Sequence, residues 1–293
     1  MPPSVSVVVP AYNEPDFLAE ALRSVAAQTL PPAEVIVVDD GSPRDLRAAA
    51  ESAGLGSRLR YVRQDNAGGA AARNRGIAMA ASEWVAFLDH DDRWLPHKLE
   101  RQLAAAAAHP EAGLVYCQIR QFGTGSDPGP FPARAPSGRI LPQLLERTLI
   151  RTLSVVAVRR ALFAPGAWFR TDLAIANDLE LYYRIAQCSD LVFVPEVLVE
   201  WRRTGTTASA NALRLHREAV QVLDALAARL GADAPADLMA LLRRRLGRHL
   251  MGAGSAALRS GDRAQARACY RRATTAVPLR AWLGLLRTWL PGG

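Results

Sequence analysis

Trp84-Val85-Ala86-Phe87-Leu88-Asp89-His90-Asp91-Asp92 is the stretch whose reading decides the fold. Five apolar residues in succession read as a strand buried on both faces. Three carboxylates within four residues stand at its carboxyl end. The same layout occurs upstream. Val5-Ser6-Val7-Val8-Val9 stops at Pro10-Ala11-Tyr12-Asn13-Glu14, and Glu34-Val35-Ile36-Val37-Val38 stops at Asp39-Asp40-Gly41-Ser42. Leu59-Arg60-Tyr61-Val62 reads as a further strand. Phe17, Leu18, Ala21, Leu22 and Val25 repeat at helical spacing, and helices are also predicted over 44–53, from Gly69 to about Ala81, and from about Pro96 to Ala108. Strands alternating with helices, with continuous apolar strands, predict an α/β fold with a mostly parallel sheet.

Beyond residue 113 the alternation loosens. Strands are predicted over 113–119, 154–158 and 191–195, a loop over 123–138, and helices over 139–150 and 176–188. Small polar residues over 204–210 mark a domain boundary, and 211–293 carries almost only helical spacing, including a helix hairpin over 256–273. The expected organisation is a domain over 1–209, with a nucleotide-binding half over about 1–115 and an acceptor half over about 116–209, followed by a basic α-helical region over 210–293. One hairpin resembles a single tetratricopeptide unit, but a stable array needs about three.

The composition, 49% hydrophobic and 22% charged over 293 residues, is that of a globular chain and excludes a disordered or collagen-like one. No apolar run reaches the ~18 residues of a membrane span, and the first residues show no basic-then-apolar leader, so a cytoplasmic location is expected. Cys117, Cys188 and Cys269 are too far apart for a zinc site or a disulfide framework. The net charge of +8 is uneven: residues 1–209 carry −1 and residues 210–293 carry +9. A basic helical region suggests an anionic partner; a solvated Arg-rich face is the simpler alternative.

Carboxylates gathered at one sheet edge repel each other, and a divalent cation offsets that repulsion, since hard cations take oxygen ligands from carboxylates and phosphates. Asp-x-Asp on a tight turn, with an incoming diphosphate, is a half-site for Mg²⁺ or Mn²⁺. The competing explanation is turn and capping chemistry, which Asp and Gly also serve.

Four stretches in order, Val5–Glu14, Glu34–Ser42, Asn66-Ala67-Gly68-Gly69-Ala70-Ala71-Ala72-Arg73-Asn74-Arg75-Gly76 and Phe87–Pro96, give the chain a family resemblance. It resembles family 2 glycosyltransferases with the GT-A fold, a Rossmann-like sheet flanked by helices, clearly over about 4–115 and more loosely to about 203. The resemblance implies inverting transfer of a sugar from a nucleotide-diphosphate donor to an acceptor hydroxyl. Pro10, Ala11, Tyr12, Glu14, Asp40, Arg73, Asn74 and Asp89 are then the nucleotide-sugar-binding set. Tyr12 would lie against the base and Asp40 would accept its ring N–H, which favours UDP or dTDP. Arg73 would reach the ribose or diphosphate. Asp91, with Asp89, would hold Mg²⁺ or Mn²⁺, and Asp92 would cap the next helix, with His90 as a spacer. Asp178 in Ala176-Asn177-Asp178-Leu179-Glu180 would be the catalytic base, with Glu180 as its backup.

One departure stands out. Relatives often carry an Arg followed by a metal-binding His after the last strand; here Trp201-Arg202-Arg203-Thr204-Gly205-Thr206-Thr207 has no His. The threonines are candidates for a loop over the diphosphate. The expected acceptor is a saccharide or lipid-linked glycan of the cell envelope. Leu279–Leu290 has the Trp, Leu and Arg content of an interfacial helix, which predicts peripheral contact with the inner face of the membrane; the alternative is a helix docked by Trp282 and Trp289. Nucleic acid is not an expected partner, because no aromatic-interleaved or helix-turn-helix pattern is present. A non-catalytic scaffold acting through the basic tail is the alternative function. A nucleotidyltransferase or dinucleotide oxidoreductase would need a Gly-rich loop after the first strand, and Pro10–Glu14 has no glycine.

Overall fold

The computed structural model describes residues 3–125, 128–163, 168–203 and 212–288. These divide into two compact units: Met1–Ile140 with Thr148–Gly205, and Leu141–Arg147 with Thr206–Gly293. The predicted boundary over 204–210 lies outside the described residues.

The first unit is a sheet flanked by helices. Its strands are β1 (Val5–Ala11), β2 (Glu34–Asp40), β3 (Leu59–Gln64), β4 (Trp84–Phe87), β5 (Arg93–Trp94), β6 (Ala112–Gly123), β7 (Val156–Arg159) and β8 (Asp190–Arg203), in the order β3-β2-β1-β4-β7-β6-β8-β5. Its helices are α1 (Pro15–Ala26), α2 (Arg47–Glu51), α3 (Gly69–Met79), α4 (Lys98–Ala108) and, after α5 of the other unit, α6 (Asn177–Cys188).

The β3-β2-β1-β4 segment is parallel throughout. The chain steps outward from β1 to β3, then returns to place β4 on the other side of β1. The strand order therefore reverses between β1 and β4, and the crevice at the carboxyl ends of that pair is where open α/β sheets bind ligands. Val7, Val8, Val9, Val35–Val38 and Trp84–Phe87 are all fully buried, as two-sided burial requires.

The sheet is mixed rather than parallel to its edges. β7 runs antiparallel to both β4 and β6, and β5 antiparallel to β8, whereas β6 and β8 are parallel. β8 also runs well past Pro195, where the sequence pattern stops. The pairing jumps from Cys117 with Val194 to Gln118 with Val197, so Pro195 and Glu196 sit in a bulge and the ladder resumes beyond them.

Helix α3 packs on the sheet through small residues. A Cβ on Gly76 would lie 2.3 Å from Val8 Cγ1, inside the core. Alanine gains ~1 kcal/mol of helix propensity over glycine, but overpacking a stiff, buried Val costs ~1–3 kcal/mol. Gly76→Ala is therefore expected to lower the urea midpoint of unfolding; a midpoint at or above that of the parent would show that α3 can move away from β1.

The second unit is helical: α5 (Leu141–Glu146), α7 (Ala212–Leu230), α8 (Ala236–Arg259), α9 (Arg263–Ala273) and α10 (Pro278–Arg287). Arg248 on α8 donates to the carbonyls of Leu145 and Glu146 at 2.8 and 2.7 Å, answering acceptors left open at the end of α5. Asp262 caps α9, accepting from Gln265 N at 2.9 Å. Tyr270 packs with Ala257, Ala266 and Leu285, and only glycines at 254 and 284 leave room for its ring. Among the described residues no helix is long and apolar enough to cross a membrane.

Candidate functional site

Three strand ends and the start of α3 meet at the crevice. The turn after β2 is built from its own carboxylates. Asp39, fully buried, accepts from Ser42 N at 2.9 Å and Tyr61 Oη at 2.7 Å, and Ser42 Oγ accepts from Asn13 N at 3.0 Å. The segment carrying Tyr12 is thus tied to the end of β2. Gly41 at φ 74° is required here, since a Cβ would meet Asn66 N at 2.7 Å. Asn13 also takes a left-handed backbone, at φ 61°, which Asn tolerates better than most residues.

Asp40 pins the next turn. Its oxygens accept from Gln64 Nε2 at 2.8 Å, Ala67 N at 2.9 Å and Gly68 N at 2.8 Å, ordering the loop that opens α3. A carboxylate has about four acceptor positions, so one is left. Arg73, one turn into α3, donates to Asp89 Oδ1 at 2.6 Å, while its Nε is buried with no hydrogen-bond partner among the described residues.

The acidic turn after β4 is braced from far along the chain. Asp89 N donates to Ser154 Oγ at 3.1 Å, and Asp89 Oδ2 lies 3.2 Å from Thr152 Oγ1. Asp92 is almost wholly buried, accepting from Ser154 Oγ at 2.6 Å and Arg202 N at 3.0 Å. Arg202 Nε reaches the Asp91 carbonyl at 2.8 Å, its guanidinium pairs with Glu20, and it lies between the Phe17 and Phe122 rings at 4.4 Å from each. The sequence reading of Asp92 as a helix cap is corrected by this: α4 begins only at Lys98, after His97, and Asp92 anchors the turn to Ser154, just before β7, and to Arg202 on β8 instead. Burial, then the charge of Asp89, raises the Asp91 carboxyl above its ordinary range, and burial beside Asp89 and Asp91 raises Asp92 further.

Pro10, Ala11, Tyr12, Asp40, Gly69, Arg73, Asp89, His90 and Asp91 line one cleft of about 210 Å³. Tyr12 is 45% exposed. His90, read from sequence as a spacer, is part of the wall. Other predicted site residues lie off that wall. Glu14 is exposed at the N-cap position of α1 and makes no side-chain cap there. Asn74 holds Phe169 by both its atoms, Nδ2 to the carbonyl and Oδ1 from the N–H, each at 2.9 Å. Glu180 is buried beside Arg184, 3.2 Å away. Asp178 stands on the first turn of α6, partly exposed. Burial pushes its carboxyl up to about 6; the Leu179 N–H and the charge of Arg73 pull it down, and Asp89 pushes it up. The charges acting on it are thus those of the cleft. Tyr182, one turn on, is buried, with its hydroxyl unpartnered among the described residues. Thr204, Thr206 and Thr207 lie outside the described residues.

The donor chemistry fits a divalent cation in part. Among the described residues no three His, Cys, Asp or Glu side chains converge on one point. Asp92 is committed to Ser154 and Arg202, and Asp89, on the cleft wall, to Arg73, so Asp91 is the remaining carboxylate of the turn, without an ion pair among the described residues. Asp91 and Asp89 are the residues that could hold a divalent cation here, as Mg²⁺ is held by one or two carboxylates plus substrate phosphates. The raised carboxyl of Asp91 is also what a nearby cation would reverse.

The sequence model of Glycosyl transferase family 2 matches residues 6–164. The chain belongs to that family. A putative teichuronic acid biosynthesis glycosyltransferase of Bacillus subtilis, TuaG, is 30% identical over 217 residues, covering 71% of this chain and 82% of that protein. An uncharacterized glycosyltransferase of Rickettsia typhi is 29% identical over 207 residues; the match takes in 68% of this chain and 64% of the relative. Among solved structures, S. aureus TarS 1-349 in complex with UDP-GlcNAc superposes with a TM-score of 0.76 at 20% identity, over 98% of this chain and 89% of that one. The mannosyltransferase PcManGT of Pyrobaculum calidifontis, solved with GDP-Man and Mn²⁺, gives a TM-score of 0.62 at 22% identity, over 98% of this chain and 85% of that chain. The family 2 member therefore has the GT-A architecture, with helices after the sheet.

Proposed function

We propose that this family 2 member transfers a sugar, with inversion, from a UDP- or dTDP-sugar to an acceptor hydroxyl in the making of a cell-envelope glycan. The observation that carries the reading is the convergence of Tyr12, Asp40, Arg73, Asp89 and Asp91 on one cleft at the reversal of strand order. Each supplies something a nucleotide diphosphate needs. The exposed Tyr12 face stacks a base. The remaining acceptor position on Asp40 takes the N–H of a uracil or thymine ring. The Arg73 guanidinium on the cleft wall donates to a diphosphate or ribose oxygen.

Asp91, with Asp89 beside it, would hold a divalent cation, which when bound stabilises negative charge on the diphosphate. Asp178 takes the acceptor's proton as the acceptor oxygen attacks the anomeric carbon. The bond from that carbon to the diphosphate oxygen breaks, its electron pair leaves with the nucleoside diphosphate, and the configuration inverts. No covalent intermediate forms. The envelope-glycan assignment draws on the teichuronic acid relative.

Calorimetric titration of UDP-, dTDP- and GDP-sugars, with Mn²⁺, Mg²⁺ or EDTA, tests the reading. The expected result is metal-dependent binding of a UDP- or dTDP-sugar, weakened by EDTA. A folded protein that binds no nucleotide under any of these conditions would overturn it.

A further inference from the structure

Apart from Tyr12, the large apolar side chains exposed among the described residues all lie on one helix. On α10, Leu279 is 75% exposed, Trp282 60%, Leu283 53% and Leu286 61%. Their spacing of three, four and seven places them on one stripe, an arc of about 100°. The opposite side of the same helix is occupied: Ala281, Gly284 and Leu285 are buried in the helical unit, and a Cβ on Gly284 would strike the Tyr270 ring at 2.7 Å. The alternative expectation of docking through Trp282 is thus corrected, since smaller residues make that contact; Trp289 lies outside the described residues. Among the described residues the helix has two apolar faces and a partner on one of them.

Charge says what covers the other. Arg280 and Arg287 are one heptad apart, both exposed, on one flank of the stripe, and neither has an ion pair among the described residues. Residues 263–293 hold six arginines and no Asp or Glu. A second copy seated on this face would bring the same cations to the same seam, which costs rather than stabilises. An anionic surface with an apolar interior satisfies both features. Leu and Trp enter the headgroup–acyl boundary while arginines stay with the phosphates.

We propose that α10 is a membrane-surface anchor: it lies in the plane of an anionic bilayer with Leu279, Trp282, Leu283 and Leu286 immersed and Arg280 and Arg287 on lipid phosphates. Binding needs neither donor nor cation, so this inference and the transferase reading fail separately.

The test is flotation of the full chain with vesicles of mixed phosphatidylcholine and phosphatidylglycerol, and with vesicles of phosphatidylcholine alone. The parent is expected to float with the mixed vesicles, and less with the neutral ones or at high salt. Trp282→Glu with Leu286→Glu is expected to cut the bound fraction at least about tenfold, with an unchanged circular dichroism spectrum, because both side chains are solvent-exposed. Arg280→Glu with Arg287→Glu leaves the apolar stripe intact and is expected to abolish the preference for the mixed vesicles. A parent that stays with the lipid-free fraction, or a Trp282/Leu286 variant that floats as well as the parent, overturns the proposal. So does a parent that is dimeric in lipid-free buffer and that the same variant renders monomeric, since the face would then belong to a second copy.

Discussion

Asp91→Ala is expected to remove cation-dependent binding of the donor and to lower turnover by about 10³-fold or more, equivalent to ~4 kcal/mol of lost transition-state stabilisation. The size follows from how the carboxylates of the acidic turn are spent. Asp92 is buried against Ser154 and Arg202, and Asp89 is engaged by Arg73. Asp91, on the cleft wall beside Asp89, has its carboxyl raised by burial and by that neighbour. With it gone, nothing in the turn replaces it, and His90 beside it is one imidazole rather than a hard oxygen donor. The main chain of the turn is held by the Arg202 contact with the Asp91 carbonyl, which alanine keeps, so the melting temperature is expected to stay near that of the parent. Titration of Mn²⁺ and donor into both proteins, with turnover measured across Mn²⁺ concentrations, checks this. Turnover of Asp91→Ala within about tenfold of the parent at equal Mn²⁺ would remove Asp91 from the cation site.

What the sequence made legible follows from how local each feature is. β1, β2 and β4 are short apolar runs ending in polar turns, and apart from Gly69 and Arg73 of α3 the residues that line the cleft lie at or just after the ends of those runs. Adjacency therefore places Tyr12, Asp40, Asp89 and Asp91 at one sheet edge, and the family resemblance implies their roles there. What braces them could not. Thr152 and Ser154 are small polar residues with no pattern around them, and they reach Asp89 and Asp92 only because β7 returns antiparallel beside β4. Arg202 sits at the end of a strand whose signal breaks at Pro195; the bulge that accommodates the proline is a property of the β6 pairing. β5 is two residues long, below any periodicity. The resemblance puts Asn74 in the donor-binding set beside Arg73, yet on a helix successive residues face different ways, and Asn74 bonds the Phe169 backbone. The exposed stripe on α10 is the reverse case: its composition was visible in sequence, but only packing shows which apolar face is buried.

Asp178→Asn is expected to lower kcat by about 10²–10⁴-fold, the usual range for loss of a positioned general base, while the donor binds as tightly as before. The amide keeps the shape of the carboxylate and cannot take a proton. The pH dependence separates this from a merely structural role. Asp178 acts when deprotonated, and burial holds its carboxyl up at about 6. In the parent, kcat/KM should therefore rise through about pH 6 and level off above it, falling about tenfold per pH unit on the acid side. The same shift fixes a stability trend of opposite sign. The folded state holds this proton more tightly than the unfolded chain, whose Asp has a pKa of about 3.9. Its contribution is present below about pH 4 and is lost as pH rises through about 6. Above that pH the parent carries a charge that burial disfavours, and Asp178→Asn does not. The variant is thus expected to melt at a higher temperature than the parent at pH 8, and to lose that advantage toward pH 4. An inactive variant that is also the more stable one at neutral pH is what a residue kept for chemistry produces. If Asp178 served only to begin α6, the variant would retain its turnover and the acid limb of the parent profile would persist in it unchanged, and the base would have to be sought elsewhere in the cleft.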